Sequence, residues 1–320
     1  MRALSAETLD DCFAHDTDRL SHAAAIDLIK SNTRAVVGIV RVPLEEAAGC
    51  YAAENVTAGC AVPGHTNAAV DGYAIGHQGV GSGEKSLFTL AGRIAAGEGS
   101  PQELKPVEAA RIFTGAPLPQ GADTVVMQED AEILPDGTVR LPAAIKPGAN
   151  VRRRGEDVGM GDVLVRSGQR LRPQDIAALA STGTAEVEVF DPLTIGILSS
   201  GDEVRRPGMT LGKADVYDTN SYLLRALAAA LPVKTIDLGI VADQRAAVEQ
   251  RLGQAAGQCD LIITSGGASR GEEDHLVRAI AESGALNAWQ IAIKPGRPLG
   301  LGSFAGTRVL MLPGNPVAVM

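Results

Sequence analysis

The sequence predicts an α/β multidomain protein: a parallel-sheet α/β domain, plus an elongated helical part into which an all-β domain is inserted. Three observations predict it. After Asp191-Pro192, short apolar runs and helical spacings alternate regularly, the pattern of a parallel sheet covered on both faces. From about Ala58 to Asn150 glycine and proline recur every few residues and apolar runs shorten, the texture of a small all-β unit. Helical signals lie on either side of that stretch, so the β unit reads as an insertion. The predicted boundaries are 1–57 with 151–190 for the helical and linker part, 58–150 for the insert, and 191–320 for the α/β domain.

Each element has a local reason. Residues 1 to about 20 mix Asp, His, Thr and Ser without periodicity and read as a loosely docked leader. Ser21 is placed to cap a short amphipathic helix through Ala23-Ala24-Ala25-Ile26 and Leu28-Ile29. Val36–Val42 is β-branched and apolar, a strand, and Leu44–Val56 carries apolar residues at helical spacing, a second helix. Within the insert, strands are expected in Leu87–Ala91, Ala110–Phe113 and Thr124–Met127. Pro173 suits the first turn of a helix over Pro173–Ser181, and Gly183 suits its stop. Strands are then expected at Thr194–Ser199, Val233–Ile240, Leu261–Thr264 and Arg308–Leu312, with helices at Ser221–Leu231, Gln244–Ala256 and Glu273–Ser283.

Composition excludes several function classes. Lys plus Arg number 29 against 38 Asp plus Glu, a formal charge of −9, the opposite of a nucleic-acid binder's balance. Aromatic residues are only 3%, too few for stacking platforms on single strands. No stretch approaches the ~18 apolar residues a membrane helix requires, and Met1–Asp11 lacks a signal-peptide pattern. A cytoplasmic location is therefore expected. The cysteines at 12, 50, 60 and 259 form no CxxC pair and read as reduced core thiols. An anionic ligand would have to be held by backbone N–H groups, a few local cations or a bridging metal.

Three groups of residues fit that requirement. Ile262–Asp274 runs from a buried strand through Gly266, Gly267 and Gly271 toward a helix. Glycines there permit close backbone approach by a phosphate, although the same spelling also serves a plain strand-to-helix turn. Ile293–Leu299 and Leu312–Pro316 follow apolar stretches and should lie at the same sheet edge, with Lys294 and Arg297 presenting cations or acting as solvated loop charges. Asp71, Asp157, Glu203, Asp243 and Asp274 sit in turn contexts, where a carboxylate ordinarily caps or is solvated. Beside a phosphate they make sense with Mg²⁺ between the like charges. Thr114 offers a hydroxyl in a stiff Gly/Pro turn, and Arg152, Arg153 and Arg154 read as a solvated basic edge.

Taken in order, eight segments resemble the molybdopterin molybdotransferase family, which includes MoeA and the gephyrin E domain. They are Asn67–Ala74, Thr114–Asp123, Val151–Asp157, Ser200–Glu203, Tyr217–Asn220, Ser265–Asp274, Lys294–Pro298 and Pro313–Pro316. The resemblance implies insertion of molybdate into adenylylated molybdopterin with release of AMP, in molybdenum cofactor assembly, and Mg²⁺ dependence. It further implies a homodimer in which the α/β domain binds molybdopterin, and a possible molybdopterin adenylyltransferase partner. Residue by residue, Asp71, Thr114, Asp157, Glu203, Asp243 and Asp274 match functionally important acidic and hydroxyl positions, and Lys294 the lysine of the KPG segment. Glu203, Asp243 and Asp274 are implied for Mg²⁺ and substrate positioning. Gly266, Gly267, Ser269 and Gly271 are implied for the phosphate or pterin end, Lys294, Arg297 and Pro298 for molybdate, and Pro313, Gly314 and Asn315 for the same ligand pocket.

Five positions depart from the family's usual residues: Ala68, Val70, Arg270, Gln290 and Ala318. The chain stops at Met320, in what reads as the start of a helix, whereas the family continues into a C-terminal β domain. A shortened chain and a paralogue that dispenses with that domain both fit. Two other functions fit the same pattern: a non-catalytic molybdopterin carrier or scaffold, and a molybdopterin adenylyltransferase, against which the helical and β domains speak.

Overall fold

The computed structural model describes residues 19–99, 103–267, 275–283, 286–291 and 298–320. Its contacts divide the chain into two compact units. One comprises the described residues up to Val40 with Phe190–Met320, the other Arg41–Val189. The second unit thus groups the predicted insert with its flanking segments 41–57 and 151–189.

The first unit is built on a seven-stranded sheet. Its spatial order is Arg19–Leu20, Leu286–Ile291, Pro298–Phe304, Thr307–Leu312, Leu261–Ser265, Leu193–Ser200 and Val233–Val241. The last four strands are mutually parallel, as the alternation predicts. Side-chain alternation along Leu193–Ser200 decides which helices cover which face. Leu198 packs with Val248, Leu252, Leu276 and Ile280 of helices Arg245–Ala256 and His275–Ser283. Ile195 and Ile197 point the other way, to Leu224 of helix Asn220–Ala228 and Val319 of the short helix Pro316–Val319. The chain goes first from Leu193–Ser200 to its outer neighbour Val233–Val241, then crosses to Leu261–Ser265 on the opposite side. Connections leave these adjacent strands in opposite directions, which opens a crevice beyond their carboxyl ends.

Two strands here escape sequence reading. Leu286–Ile291 and Pro298–Phe304 pair antiparallel, and the latter pairs antiparallel with Thr307–Leu312. Ala305 and Gly306 turn that hairpin with φ of 47° and 88°, the left-handed pair that suits a two-residue connection. Arg19–Leu20, expected within the leader, pairs parallel with Leu286–Ile291. Ser21 caps helix His22–Asn32 as predicted, its hydroxyl accepting from the Ala24 amide at 3.1 Å.

The second unit carries a mixed six-stranded sheet in the order Thr124–Met127, Gly72–Ile75, Glu108–Ile112, Lys85–Ile94, Thr138–Pro142 and Glu132–Ile133. Helix Pro173–Ser181 has the predicted limits. The helix expected over 44–56 is a correction: only the 3₁₀ turn Leu44–Glu46 forms. Gly49 takes φ 86°, and the amides of Gly49, Ala52 and Ala53 donate instead to Leu171, Gln169 and Glu188 carbonyls. The apolar spacing there reflects Ala47 and Ala52, fully buried in an irregular segment. The cysteines also need correcting: Cys259 is buried, but Cys50 is half-buried and Cys60 exposed, and Cys12 lies outside the described residues.

Candidate functional site

The crevice at the strand ends is a cleft of about 800 Å³. Ser199, Ser200 and Gly201 end the first parallel strand there, Asp243 follows the second, Ser265 to Gly267 end the third, and Pro313 and Gly314 follow the fourth. The close approach of these ends demands glycine at 266. It adopts φ 85°, and a Cβ would lie 2.5 Å from the Ser200 carbonyl oxygen. Its amide donates to the Leu312 carbonyl at 3.2 Å, tying two strand ends together. Gly267 also takes a left-handed φ of 67°, so the backbone is bare where a ligand would approach.

A polar bracket supports this floor from beneath. Asp218 is 2% exposed. It accepts from the Ser199 hydroxyl at 3.0 Å, the Ser221 amide at 3.1 Å and the Ser221 hydroxyl at 2.7 Å, with the Arg206 guanidinium at 3.4 Å. One carboxylate thereby fastens the start of helix Asn220–Ala228 to the end of the central strand. Asn220, also buried, donates from Nδ2 to the Ser265 hydroxyl and to the Gly314 carbonyl at 2.8 Å. The carbonyl fixes which end of the amide faces it. Asn220 Oδ1 is buried without a hydrogen-bond partner among the described residues. Arg206 reaches past Asp218 to Asp237 at 2.6 Å. Burial, the largest single influence, opposes ionisation of Asp237, but the hydrogen bonds from Arg206 and the Gly239 amide together with the charges of Arg206 and Arg225 outweigh it and hold its pKa below the usual carboxylate range, while the Asp237 partner raises that of Arg206.

The cleft is acidic. Glu203, Asp215, Asp218 and Asp243 line it, and its described lining residues include no lysine or arginine. The Asp243 amide is held by Asp202 Oδ1 at 3.0 Å, and Asp215 is paired with Arg205 at 3.1 Å. Of the residues predicted for this ligand site, Glu203, Asp243, Gly266, Gly267, Pro313 and Gly314 are brought together. Asn315 caps the following helix, its side chain accepting from the Val317 amide at 3.0 Å. Pro298 opens a strand of the same sheet. Ser269, Gly271, Asp274, Lys294 and Arg297 lie outside the described residues.

The other predicted residues belong to the second unit. Asp71 Oδ1 accepts from both the Thr114 amide at 2.8 Å and its hydroxyl at 2.7 Å. The Thr114 amide, then its hydroxyl, lower the Asp71 pKa, and the charge of Arg111 adds to this. Asp157 forms an ion pair with Arg152, which also reaches Glu156 at 3.5 Å. Arg152 is thus half-buried and paired, not part of a solvated edge as the sequence reading expects. Asp218, Asn220 and Arg111 carry structure that the sequence reading leaves unassigned. The signal for the first two was the block Tyr217-Asp218-Thr219-Asn220, polar groups ahead of an apolar helical run.

Comparison with known proteins gives these features a common origin. Residues 20–183 match the family described as MoeA N-terminal region (domain I and II), and residues 196–320 the probable molybdopterin binding domain. The chain is 40% identical over 278 residues to a molybdopterin molybdenumtransferase of Haemophilus influenzae, covering 87% of this chain and 68% of the relative. It is 32% identical over 290 residues to molybdopterin molybdenumtransferase 2 of Mycobacterium tuberculosis, covering 88% and 71%. Two solved structures of molybdopterin biosynthesis MoeA proteins from Pyrococcus horikoshii are 31% and 28% identical. Both have TM-score 0.78 and match 94% of this chain and 76% and 75% of theirs. A sheet-edge cleft shaped by Gly266 and Gly267, in a chain whose two regions match the two MoeA regions in order, makes this protein a member of the MoeA molybdopterin molybdenumtransferase family.

Proposed function

We propose that this chain inserts molybdate into the dithiolene of adenylylated molybdopterin and releases AMP, in molybdenum cofactor biosynthesis. The observation that carries the reading is the glycine-floored, carboxylate-lined cleft at the switch point of the parallel strands. A pterin with a phosphoric anhydride needs backbone donors, a buried polar wall and neutralisation of its charge. Gly266 and Gly267 supply open backbone, and Ser269 and Gly271 are assigned to the same phosphate or pterin end of the ligand. Asn220 Oδ1, without a hydrogen-bond partner among the described residues, is assigned as an acceptor for a ligand N–H. Lys294, Arg297 and Pro298 are assigned to framing molybdate. Asp71, Thr114 and Asp157 keep the catalytic roles their motif positions imply, with Asp71 held ionised by the two Thr114 donors.

Mg²⁺ fits the donor chemistry. It takes hard oxygen ligands, commonly one or two carboxylates completed by substrate phosphates and water. Glu203 and Asp243 line the cleft, and Asp274 is the third residue assigned to the ion. Among the described residues no group of three acidic, His or Cys side chains is assembled to hold a metal. Held by these residues, Mg²⁺ would supply charge neutralisation for the anhydride. Glu203 and Asp243 hold and orient, and the cleft walls limit water.

The proposal includes a homodimer, a cytoplasmic location and a handover from a molybdopterin adenylyltransferase. The exposed free thiol of Cys60 suits a reducing compartment, and among the described residues no helix is long and apolar enough to cross a membrane. The test is AMP release from adenylylated molybdopterin with and without molybdate. Release that requires both molybdate and Mg²⁺ is the expected result. Tight pterin binding without release would establish a carrier instead.

A further inference from the structure

Arg111 contacts chain neighbours of both members of the Asp71–Thr114 pair, Gly72 and Tyr73 on one side and Phe113 on the other. Its Nη1 donates to the Gly72 carbonyl at 3.2 Å, and its Nη2 to Gln128 Oε1. Gln128 in turn donates its amide to the Asp71 carbonyl at 3.1 Å. The guanidinium thereby grips the Asp71 turn at two points. On its other side it stacks 5.0 Å from the ring of Phe113, the residue before Thr114, and 5.2 Å from the ring of Tyr73. Tyr73 and Arg111 are direct cross-strand partners, so the strands themselves set this contact. A planar cation with fixed donors suits such a bridge, where a lysine would keep only the charge.

We propose that Arg111 is a positioning residue for the reaction: it locks the Asp71 turn against the Phe113-Thr114 segment so that the carboxylate and hydroxyl keep one geometry. This rests on the catalytic role assigned to Asp71 above. Arg93 provides a control on the same ring. It stacks 4.6 Å from Phe113 and pairs loosely with Glu98 at 3.8 Å, and among the described residues no hydrogen bond ties its side chain to the Asp71 turn.

The experiment is a double-mutant cycle read as single-turnover AMP release by the full chain. Arg111→Gln should lower the rate about tenfold while the molybdate and pterin concentrations for half-saturation change less than about twofold. In an Asp71→Asn background the same substitution should cost less than about twofold, and Arg93→Gln should leave the rate unchanged. Equal losses in both backgrounds, or an equal loss from Arg93→Gln, would overturn the proposal. Asp71→Asn alone with full activity would instead remove the catalytic reading of Asp71, and the positioning role with it. If Arg111→Gln does not fold, Gln128→Ala, which removes the Arg111 link together with an exposed hydrogen bond to Glu129 and leaves the backbone bond to the Asp71 carbonyl, decides by the same cycle. Amide hydrogen exchange at Thr114, expected to quicken in either variant, reports the loosened pair independently of activity.

Discussion

Asp71 and Thr114 meet through one oxygen: the amide and the hydroxyl of Thr114 converge on Asp71 Oδ1 at 2.8 and 2.7 Å. The arrangement stabilises the anion twice over, and the Asp71 pKa is correspondingly lowered. Thr114→Val keeps the amide and removes the hydroxyl. A group with a depressed pKa stays ionised to lower pH, so its activity is present above that pKa and lost as pH falls through it. Removing one donor raises the pKa toward the ordinary carboxylate value, and the acid limb of the turnover profile should move to higher pH. At neutral pH the rate should fall by about tenfold to a hundredfold, the worth of one hydrogen bond to a charged group. An unmoved acid limb would detach Asp71 from the reaction.

Glycines 266 and 314 should separate stability from binding. At Gly266 both the φ of 85° and the Ser200 carbonyl oppose a methyl group, and Gly266→Ala should cost about 3 kcal/mol. At Gly314 a Cβ would meet its nearest neighbour, Gly266 Cα, at an ordinary 3.9 Å. Gly314→Ala should leave the unfolding midpoint nearly unchanged, yet weaken pterin binding by narrowing the cleft it lines. Calorimetry and ligand titration on both variants check the contrast.

Asp218 should behave as a structural anchor. It is buried, carries charge opposite Arg206 and accepts from three donors on Ser199 and Ser221. Asp218→Ala strands those donors and leaves the guanidinium of Arg206 with Asp237, so a loss of about 3 kcal/mol is expected. Denaturant unfolding measures it; a loss below about 1 kcal/mol would mean that water replaces the carboxylate.

What was readable in the sequence divides along physical lines. Leu193–Ser200 and Pro173–Ser181 were legible because a buried parallel strand is a continuous apolar run and a proline-started, glycine-stopped helix carries its own signals. Pro298–Phe304 was not, since Pro-Leu-Gly-Leu-Gly-Ser-Phe spells a loop. It becomes a strand because Gly300 lies opposite Met311, whose side chain occupies the space a Cβ there would need. Glu203 and the two glycines were legible through motif order, whereas Asp243 stands outside the eight segments and was marked only by its turn context and the resemblance at that position. Asp218 was only a member of a motif, because its importance comes from Ser199 and Arg206, which reach it from before it in the chain through the fold.

The start of helix Pro173–Ser181 gives the acid behaviour a specific source. Asp175 accepts from the Arg172 amide at 2.8 Å and from its guanidinium at 2.9 and 3.0 Å. Hydrogen bonding to the Arg172 side chain is the largest cause that lowers its pKa, to about 2, against an ordinary aspartate value of 3.8. A depressed folded-state pKa contributes stability that is complete above the unfolded value and is lost as pH falls through the folded one. The window is therefore from about pH 4 down to about pH 2. Asp175 is 8% exposed but the Arg172 side chain is 60% exposed, so solvent screens part of the pair and the contribution is about 1 kcal/mol. Asp175→Asn should lower stability by that amount at neutral pH and match the parent protein near pH 2. Unfolding curves between pH 2 and 7 that stay parallel throughout would assign the acid sensitivity to other carboxylates.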